Sequence, residues 1–436
     1  MKDRKTKIDE YFKKIDKLGW DLNLRSIFEL LKYVGNPQNQ IAVVHAAGTN
    51  GKGSTLAFLS SIMEETGLQV GRFTSPALVD RNEMITINGV KISDAEMERG
   101  ISMVEEACQK MVDSGFRHPT SFEVMAVLAF LYFKGQVDLA LIETGMGGRL
   151  DATNVVAEAK LCIITPIGMD HEAFLGDCLE KIAMEKAGVF RPKVPVVSAP
   201  QEKQVEATLR EKAQLIEAPF ILIDRSNLSV LEEGTSLRFI YRSVEYKTEI
   251  LGRHQAVNAA VAIESAKRLD KMGWSVTDED LLQGISKAHW PGRFEILRRD
   301  PLVVIDGAHN AQGMQALNHA RKQILKGEYR VVVGILGEKD MGPDFLEILG
   351  EASEVWTATP NNPRALSASN LSTRLLKQGI KSEAVEDFEV LIDLLASEST
   401  LSGSFPCLIF GSLYLIGPLG NALKRRLKND SCFNCG

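Results

Sequence analysis

No stretch of this 436-residue chain approaches the ~20 consecutive apolar residues that span a bilayer, and "MKDRKTKIDEYFKK" lacks a signal peptide's apolar core. The expectation is a cytoplasmic protein with no membrane partner. Basic charge is also scarce: 51 Lys and Arg, scattered along the chain, face 57 Asp and Glu, for a net charge of −6. A nucleic-acid partner is therefore not expected. Cysteines number only six, and four of them sit isolated in mixed or apolar segments, which reads as reduced thiols and not as a disulfide framework. Cys432 and Cys435 form a lone C-x-x-C in the tail, without the second pair a structural zinc site needs, and read as part of a frayed terminus. Low-complexity segments and short-period repeats are absent as well.

What remains is an ordinary globular composition, 44% apolar and 25% charged. Single cores stop growing at about 250–300 residues, so a chain of this length calls for two domains. "IAVVHAAG" is rich in branched residues and stops at glycine, and "KGSTLAFLSSIMEETG" then takes helical spacing from Lys52 to Gly67. "LQVGRFT", "VDLALIET", "LCIITPI" and "VPVVSA" read as further strands, with helical stretches at Asp94 to Ser114 and Ser121 to Phe133. Continuous apolar runs predict strands covered on both faces, hence a parallel sheet flanked by helices. Residues 218–250 alternate in short runs and predict a small antiparallel appendage on this first domain. After "HWPGRFE" the α/β alternation restarts with "PLVVIDGAHN", "YRVVVGIL", "EVWTAT" and "FPCLIFGS". The reading is an α/β protein with a domain over 1–292 and a second, open Rossmann-like α/β domain over 293–436.

The stretch "HAAGTNGKGST", His45 to Thr55, joins the first strand to its helix. A glycine-rich loop there turns free N–H groups and a helix dipole toward an anion, and Lys52 would reach outer phosphates. It departs from the standard phosphate loop, because Gly53 follows the lysine and the hydroxyl falls at Ser54. Taken alone, it leaves a flexible turn with an incidental lysine as the lesser reading. "LALIETGMGGRLDATN" sets Glu143 at the end of a buried strand, where a carboxylate suits Mg²⁺. "ITPIGMDHEAFLG" ends another strand with Asp170 and His171, and "MEKAG" brings Lys186 on a helix. Singly, these read as a salt-bridged glutamate, a structural histidine and a solvated surface lysine.

In order along the chain, "GTNGKGS", "TSPAL", "TSFEVM", "LIETGMGGRLDATN", "DHEAFLG", "EKAG", "GRHQAVNAAVA", "PGRFE" and "DGAHN" resemble the Mur ligase superfamily, and within it the folylpolyglutamate and dihydrofolate synthases. The resemblance spans nearly the whole chain. It implies an ATP-dependent ligase that joins L-glutamate to dihydropteroate or to a reduced folate through an acyl phosphate. Asn50, Gly51, Lys52, Gly53 and Ser54 would wrap the ATP phosphates; Asn258, Arg293, Asp306 and His309 would complete the nucleotide site at an interdomain cleft. Ser54, Ser75 and Glu143 would hold one Mg²⁺, and Glu143 with His171 a second, beside Lys186 in carbamylated form. Lys52, Glu143, His171, Lys186 and Arg293 would carry the catalysis. Phe122, Leu150, Asp151 and Ala152 match contacts to the pterin-bearing substrate, and Asp21 in "DLNLRSI" is a weaker match. Thr144 and Met146 depart from the family's frequent valine and leucine.

Two alternatives stand beside this reading. A peptidoglycan-precursor ligase would share the phosphate loop but usually lacks "GGRLDATN" together with "DGAHN". A nucleotide-hydrolysing switch would need neither segment, and no suitably placed N-K-x-D is present. A dinucleotide-binding C-terminal domain is disfavoured, since no G-x-G-x-x-G follows its strands. The expected assembly is a monomer.

Overall fold

Branched apolar runs become strands here where helices cover both faces. The computed structural model describes residues 3–18, 23–337, 341–397 and 406–433. Eight strands form the first sheet: β1 Val43–Ala47, β2 Val70–Phe73, β3 Ile85–Ile87, β4 Val90–Lys91, β5 Leu139–Glu143, β6 Ala159–Ile164, β7 Val196–Ser198 and β8 Phe220–Leu222, in the order β4-β3-β2-β5-β1-β6-β7-β8. From β2 to β8 every neighbouring pair is parallel, while β3 runs antiparallel to both β2 and β4. β1 and β5 are buried along their whole length, as the continuous apolar runs require.

The helix Lys52–Glu65 follows β1 directly, and the helix Ser121–Phe133 is buried nearly all round, in keeping with its unbroken "VMAVLAF". Reciprocal capping boxes start Asp94–Asp113 (Ser93 with Glu96) and Ser121–Phe133 (Thr120 with Glu123), so both helices begin where the sequence places them. The N-terminal helices Arg4–Ile15 and Arg25–Tyr33 insert Ile8, Phe12, Ile15, Ile27, Leu30 and Leu31 into the same core.

The segment expected to be one antiparallel appendage divides. Phe220–Leu222 adds a parallel edge strand beside β7, and only β9 Leu228–Glu233, β10 Leu237–Tyr241 and β11 Val244–Thr248 form the separate sheet, ordered β11-β10-β9. β12 Glu295–Arg299, β13 Leu302–Asp306, β14 Arg330–Val333, β15 Glu354–Ala358, β16 Glu383–Val385 and β17 Cys407–Phe410 build a six-stranded sheet in the order β12-β13-β17-β14-β15-β16. It is parallel except at the β12–β13 edge. The predicted pair of α/β architectures is therefore present.

The chain separates into two compact units. One takes in Met1–Ser229, Ile240–Tyr246 and Val257–Ala288; the other takes in Val230–Phe239, Lys247–Ala256 and His289–Gly436. Cys108, Cys162 and Cys407 are buried free thiols and Cys178 a partly buried one, in line with reduced core cysteines. Cys435 and the side chain of Cys432 lie outside the described residues, as does Asp21. Among the described residues, no helix is long and apolar enough to cross a membrane.

Candidate active site

The loop after β1 closes through glycines at positions where any side chain would be strained. Gly48 has φ +150°, and a Cβ on it would fall 1.9 Å from the Thr165 hydroxyl. Gly51 has φ +86°, and its Cβ would fall 2.4 Å from Oδ1 of Asn258. The loop is tied to the next strand end by Thr49 and Asn50, whose N–H groups donate to the Pro166 carbonyl at 3.0 and 3.3 Å. The Thr49 hydroxyl donates to the Gly168 carbonyl at 3.0 Å. Lys52 and Gly53 open the helix, with Ser54 buried one residue on. A shared carbonyl gathers the lysines: Lys52 Nζ donates to Gly48 O at 3.1 Å and to Thr49 O at 3.3 Å, and Lys186 Nζ donates to Gly48 O at 2.8 Å.

Glu143, the last residue of β5, is 5% exposed. Its Oε1 lies 3.8 Å from Lys52 Nζ, and its Oε2 accepts the Ser75 N–H at 3.3 Å. Phosphate loop, strand end and Ser75 thus meet at the carboxyl edge of the parallel sheet, where such folds bind ligands. His171 stands apart from this group in character. Its backbone is left-handed at φ +50°, and its half-exposed ring lies 3.8 Å from the Asp170 carboxylate.

Lys186 is 4% exposed and not the solvated charge its helix position suggests in isolation. Burial, and then the Lys52 ammonium beside it, lower its pKa from 10.5 to about 7, against the pull of Asp170 and Asp151. The packing that buries it explains the motif "GGRLDATN". A Cβ on Gly148 would fall 2.7 Å from the carbonyl oxygens of both Glu185 and Lys186, and one on Gly188 would fall 2.4 Å from the Arg149 Cα. Two glycines therefore let the loop seat on "EKAG". Arg149 secures it, donating from its backbone to Glu185 O at 2.8 Å and from Nε and Nη2 to Glu185 Oε1 at 3.0 and 2.8 Å. Asn154 Nδ2 adds bonds to Arg149 O at 3.0 Å and Gly188 O at 3.1 Å.

Two residues beyond Glu143 the chain turns, and the turn gathers the expected substrate residues. The Phe122 ring lies against Gly145, where a Cβ would meet it at 2.6 Å, and Phe73 lies 5.9 Å behind it. Asp151 is buried, and its carboxylate accepts from Met146 N at 2.9 Å, Thr153 N at 2.9 Å and the Thr153 hydroxyl at 2.6 Å, and also from Gly145 N. Burial raises its pKa while these bonds oppose the rise. Ala152 is buried beside it and Leu150 half-buried. Asp151 thus organises the turn from within, a role the sequence reading did not include.

In the other unit, Asp306 ends β13 and accepts from the N–H groups of Phe294 and Ala308, each at 2.7 Å. Burial raises its pKa and Arg293 opposes the rise. The Arg293 guanidinium lies across Gly307, where a Cβ would meet Nη1 at 2.7 Å. His309 Nδ1 donates to the Gly307 carbonyl at 2.8 Å, and Asn310 caps the following helix by accepting the Gly313 N–H at 2.8 Å. "PGRFE" and "DGAHN" are therefore joined locally through Asp306. Asn258 belongs to the first unit and is nearly fully buried over Gly51.

Family models match both halves of the chain: the Mur ligase middle domain over residues 46–266 and the Mur ligase glutamate ligase domain over 292–411. Among curated proteins, the dihydrofolate synthase/folylpolyglutamate synthase of Bacillus subtilis is 35% identical, over 94% of this chain and 96% of that protein. The folylpolyglutamate synthase of Lacticaseibacillus casei is 33% identical over 92% and 94%. Among solved structures, Mycobacterium tuberculosis folylpolyglutamate synthase complexed with ADP and AMPPCP superposes with a TM-score of 0.83 at 27% identity, covering 96% of this chain and 98% of that one. The glycine-closed loop, the strand-end glutamate and these matches agree: the chain belongs to the Mur ligase family and is an ATP-dependent ligase.

Proposed function

We propose that the enzyme joins L-glutamate to dihydropteroate, to a reduced folate, or to both, with ATP. The observation that carries this reading is the turn after β5: Gly145, two residues beyond Glu143, lies against Phe122, Asp151 of the Leu150–Ala152 segment ties the turn at Met146, and Glu143 itself lies 3.8 Å from Lys52 of the phosphate loop. The acceptor site and the phosphate site then share one strand end. In the first step an acceptor carboxylate oxygen attacks the γ-phosphorus, ADP leaves and an acyl phosphate forms. The glutamate amine then attacks the acyl carbon, forming the amide, while phosphate leaves and the nitrogen loses a proton. The first step brings two anions together, and Lys52 from the loop supplies fixed positive charge for it. Within the first unit Asn50 to Ser54 cradle the phosphates and Asn258 contacts the nucleotide; within the second, Arg293, Asp306 and His309 are the nucleotide contacts. Residues 1–292 carry the acceptor and phosphate sites and 293–436 the ligase domain.

The proposed site takes two Mg²⁺, and the carboxylate of Glu143 and the hydroxyls of Ser54 and Ser75 are the kind of oxygen donor that ion takes. No three His, Cys, Asp or Glu side chains gather into a cage among the described residues, and Mg²⁺ characteristically takes one or two carboxylates, hydroxyls, phosphates and water. Ser54, Ser75 and Glu143 would hold one ion, and Glu143, His171 and Lys186 the other. When bound, the ions neutralise charge on the phosphoryl oxygens. Lys186 as an ammonium cannot ligate a cation. With a pKa near 7 it offers a neutral amine, and carbamylation by CO₂ forms an N–C bond, releases one proton and leaves an anionic ligand. Free thiols suit a cytoplasmic setting, and we take the enzyme to act there as a monomer.

The isotope fate of the acceptor oxygen tests the chemistry. With ¹⁸O in the acceptor carboxylate, one ¹⁸O per turnover should appear in released phosphate, beside a product heavier by one glutamyl residue. Unlabelled phosphate would overturn the acyl-phosphate route.

A further inference from the structure

His45 sits in the middle of β1, fully buried, in register with Ile142 of β5 and Cys162 of β6. An aliphatic residue would satisfy such a position without polar cost. The imidazole instead makes one directed contact, Nε2 to Thr153 Oγ1 at 2.8 Å. The Thr153 hydroxyl spends its proton on Asp151 Oδ1 at 2.6 Å, so the hydroxyl oxygen accepts and His45 carries its proton on Nε2. Nδ1 is then a bare acceptor that meets no donor among the described residues. Leaving a buried acceptor so costs about 1–3 kcal/mol, a cost that packing does not call for. Departures of this kind concentrate where function demands them.

The chain of contacts leads to the acceptor turn. His45 bonds Thr153, Thr153 bonds Asp151, and Asp151 takes the N–H groups of Gly145 and Met146, with the Phe122 ring against Gly145. His45 also lies three residues before Gly48, the first residue of the phosphate loop. We propose that His45 is a positioning residue: through Thr153 it fixes the Asp151 carboxylate, and with it the Gly145–Met146 turn, in the geometry that receives the folate acceptor. This rests on the acceptor-site reading above. The ring acts only as a neutral Nε2 donor, and no proton transfer is asked of it.

The test compares His45→Leu and the near-isosteric Thr153→Val with wild type. Each should raise the acceptor KM about tenfold, the worth of one hydrogen bond, while the ATP KM stays put and the thermal midpoint falls by no more than about 4–8 °C. His45→Gln and Thr153→Ser, which keep a donor and a hydroxyl, should recover the wild-type KM. The double variant His45→Leu/Thr153→Val should be no worse than either single one, because both break the same chain. Amide exchange over residues 144–152, measured without substrate, should quicken in both single variants. Unchanged exchange and KM, or a fall in thermal midpoint with both KM values rising together, would overturn the proposal. Phe122→Ala lies outside the chain: an unchanged acceptor KM there would remove the acceptor-site reading itself. A raised KM there, with His45→Leu and Thr153→Val silent, would remove only the role of His45.

Discussion

Lys52 and Lys186 donate to one acceptor, the carbonyl of Gly48, at 3.1 and 2.8 Å. Burial, and after it the repulsion of the Lys52 ammonium on the same carbonyl, lowers the pKa of Lys186 to about 7. The phosphate loop and the candidate carbamylation site are thereby coupled through a single backbone oxygen.

The coupling predicts that Lys52→Met raises the Lys186 titration midpoint above about 7, because it removes the largest electrostatic cause of the depression after burial. The shift of the Lys186 ε-carbon with pH, read by NMR in ¹³C-lysine-labelled protein, measures it. A midpoint that stays where it was contradicts the coupling.

Lys52→Ala and Glu143→Ala should each lower kcat for ligation by about a thousandfold, the scale expected when a preorganised charge at a reacting phosphoryl group is lost. Circular dichroism and thermal midpoint should report an intact fold. Retained ligation in either folded variant would remove these residues from the chemistry.

Gly148→Ala would drive a Cβ to 2.7 Å from two backbone oxygens that cannot swing away, those of Glu185 and Lys186. A destabilisation of about 2 kcal/mol is expected, with kcat falling as Lys186 shifts. Gly234→Ala is the matched control, since the added methyl would meet nothing within 4 Å and the backbone there is not left-handed. It should stay within about 0.5 kcal/mol of wild type in urea unfolding.

Burial holds the His45 pKa at about 3, below its ordinary 6.5. Between these values the unfolded chain binds a proton that the folded chain refuses, so stability rises with pH across the window and is lost as pH falls from 6.5 toward 3. Urea unfolding at pH 6.5 and 4.5 should show this group removing about 2 kcal/mol, and His45→Leu should flatten that part of the dependence. An identical pH profile in the variant would show that His45 is not held neutral.

How much is legible in the sequence follows from the range of each interaction. β1, β5 and the helices Lys52–Glu65 and Ser121–Phe133 announce themselves through local periodicity and caps. The hairpin β3–β4 escapes because its strands are two or three residues long and β4 is exposed. β8 reads as one of the alternating strands that follow it, since its half-buried "FIL" carries neither a full apolar run nor a clear alternation. Burial of Lys186 depends on Gly148 and Gly188, and no pattern along one helix reports such a long-range fit. The inward role of Asp151 is hidden for the same reason: its partners at 145, 146 and 153 identify themselves only once the turn is folded.

The most direct test of the account is ATP- and Mg²⁺-dependent phosphate release with L-glutamate, run in parallel with dihydropteroate, a tetrahydrofolate and a peptidoglycan nucleotide precursor, with products weighed by mass spectrometry. The account predicts release coupled to a one-glutamate product with dihydropteroate, with the tetrahydrofolate, or with both, and none with the precursor. Turnover confined to the peptidoglycan precursor, or release indifferent to every acceptor, would contradict it.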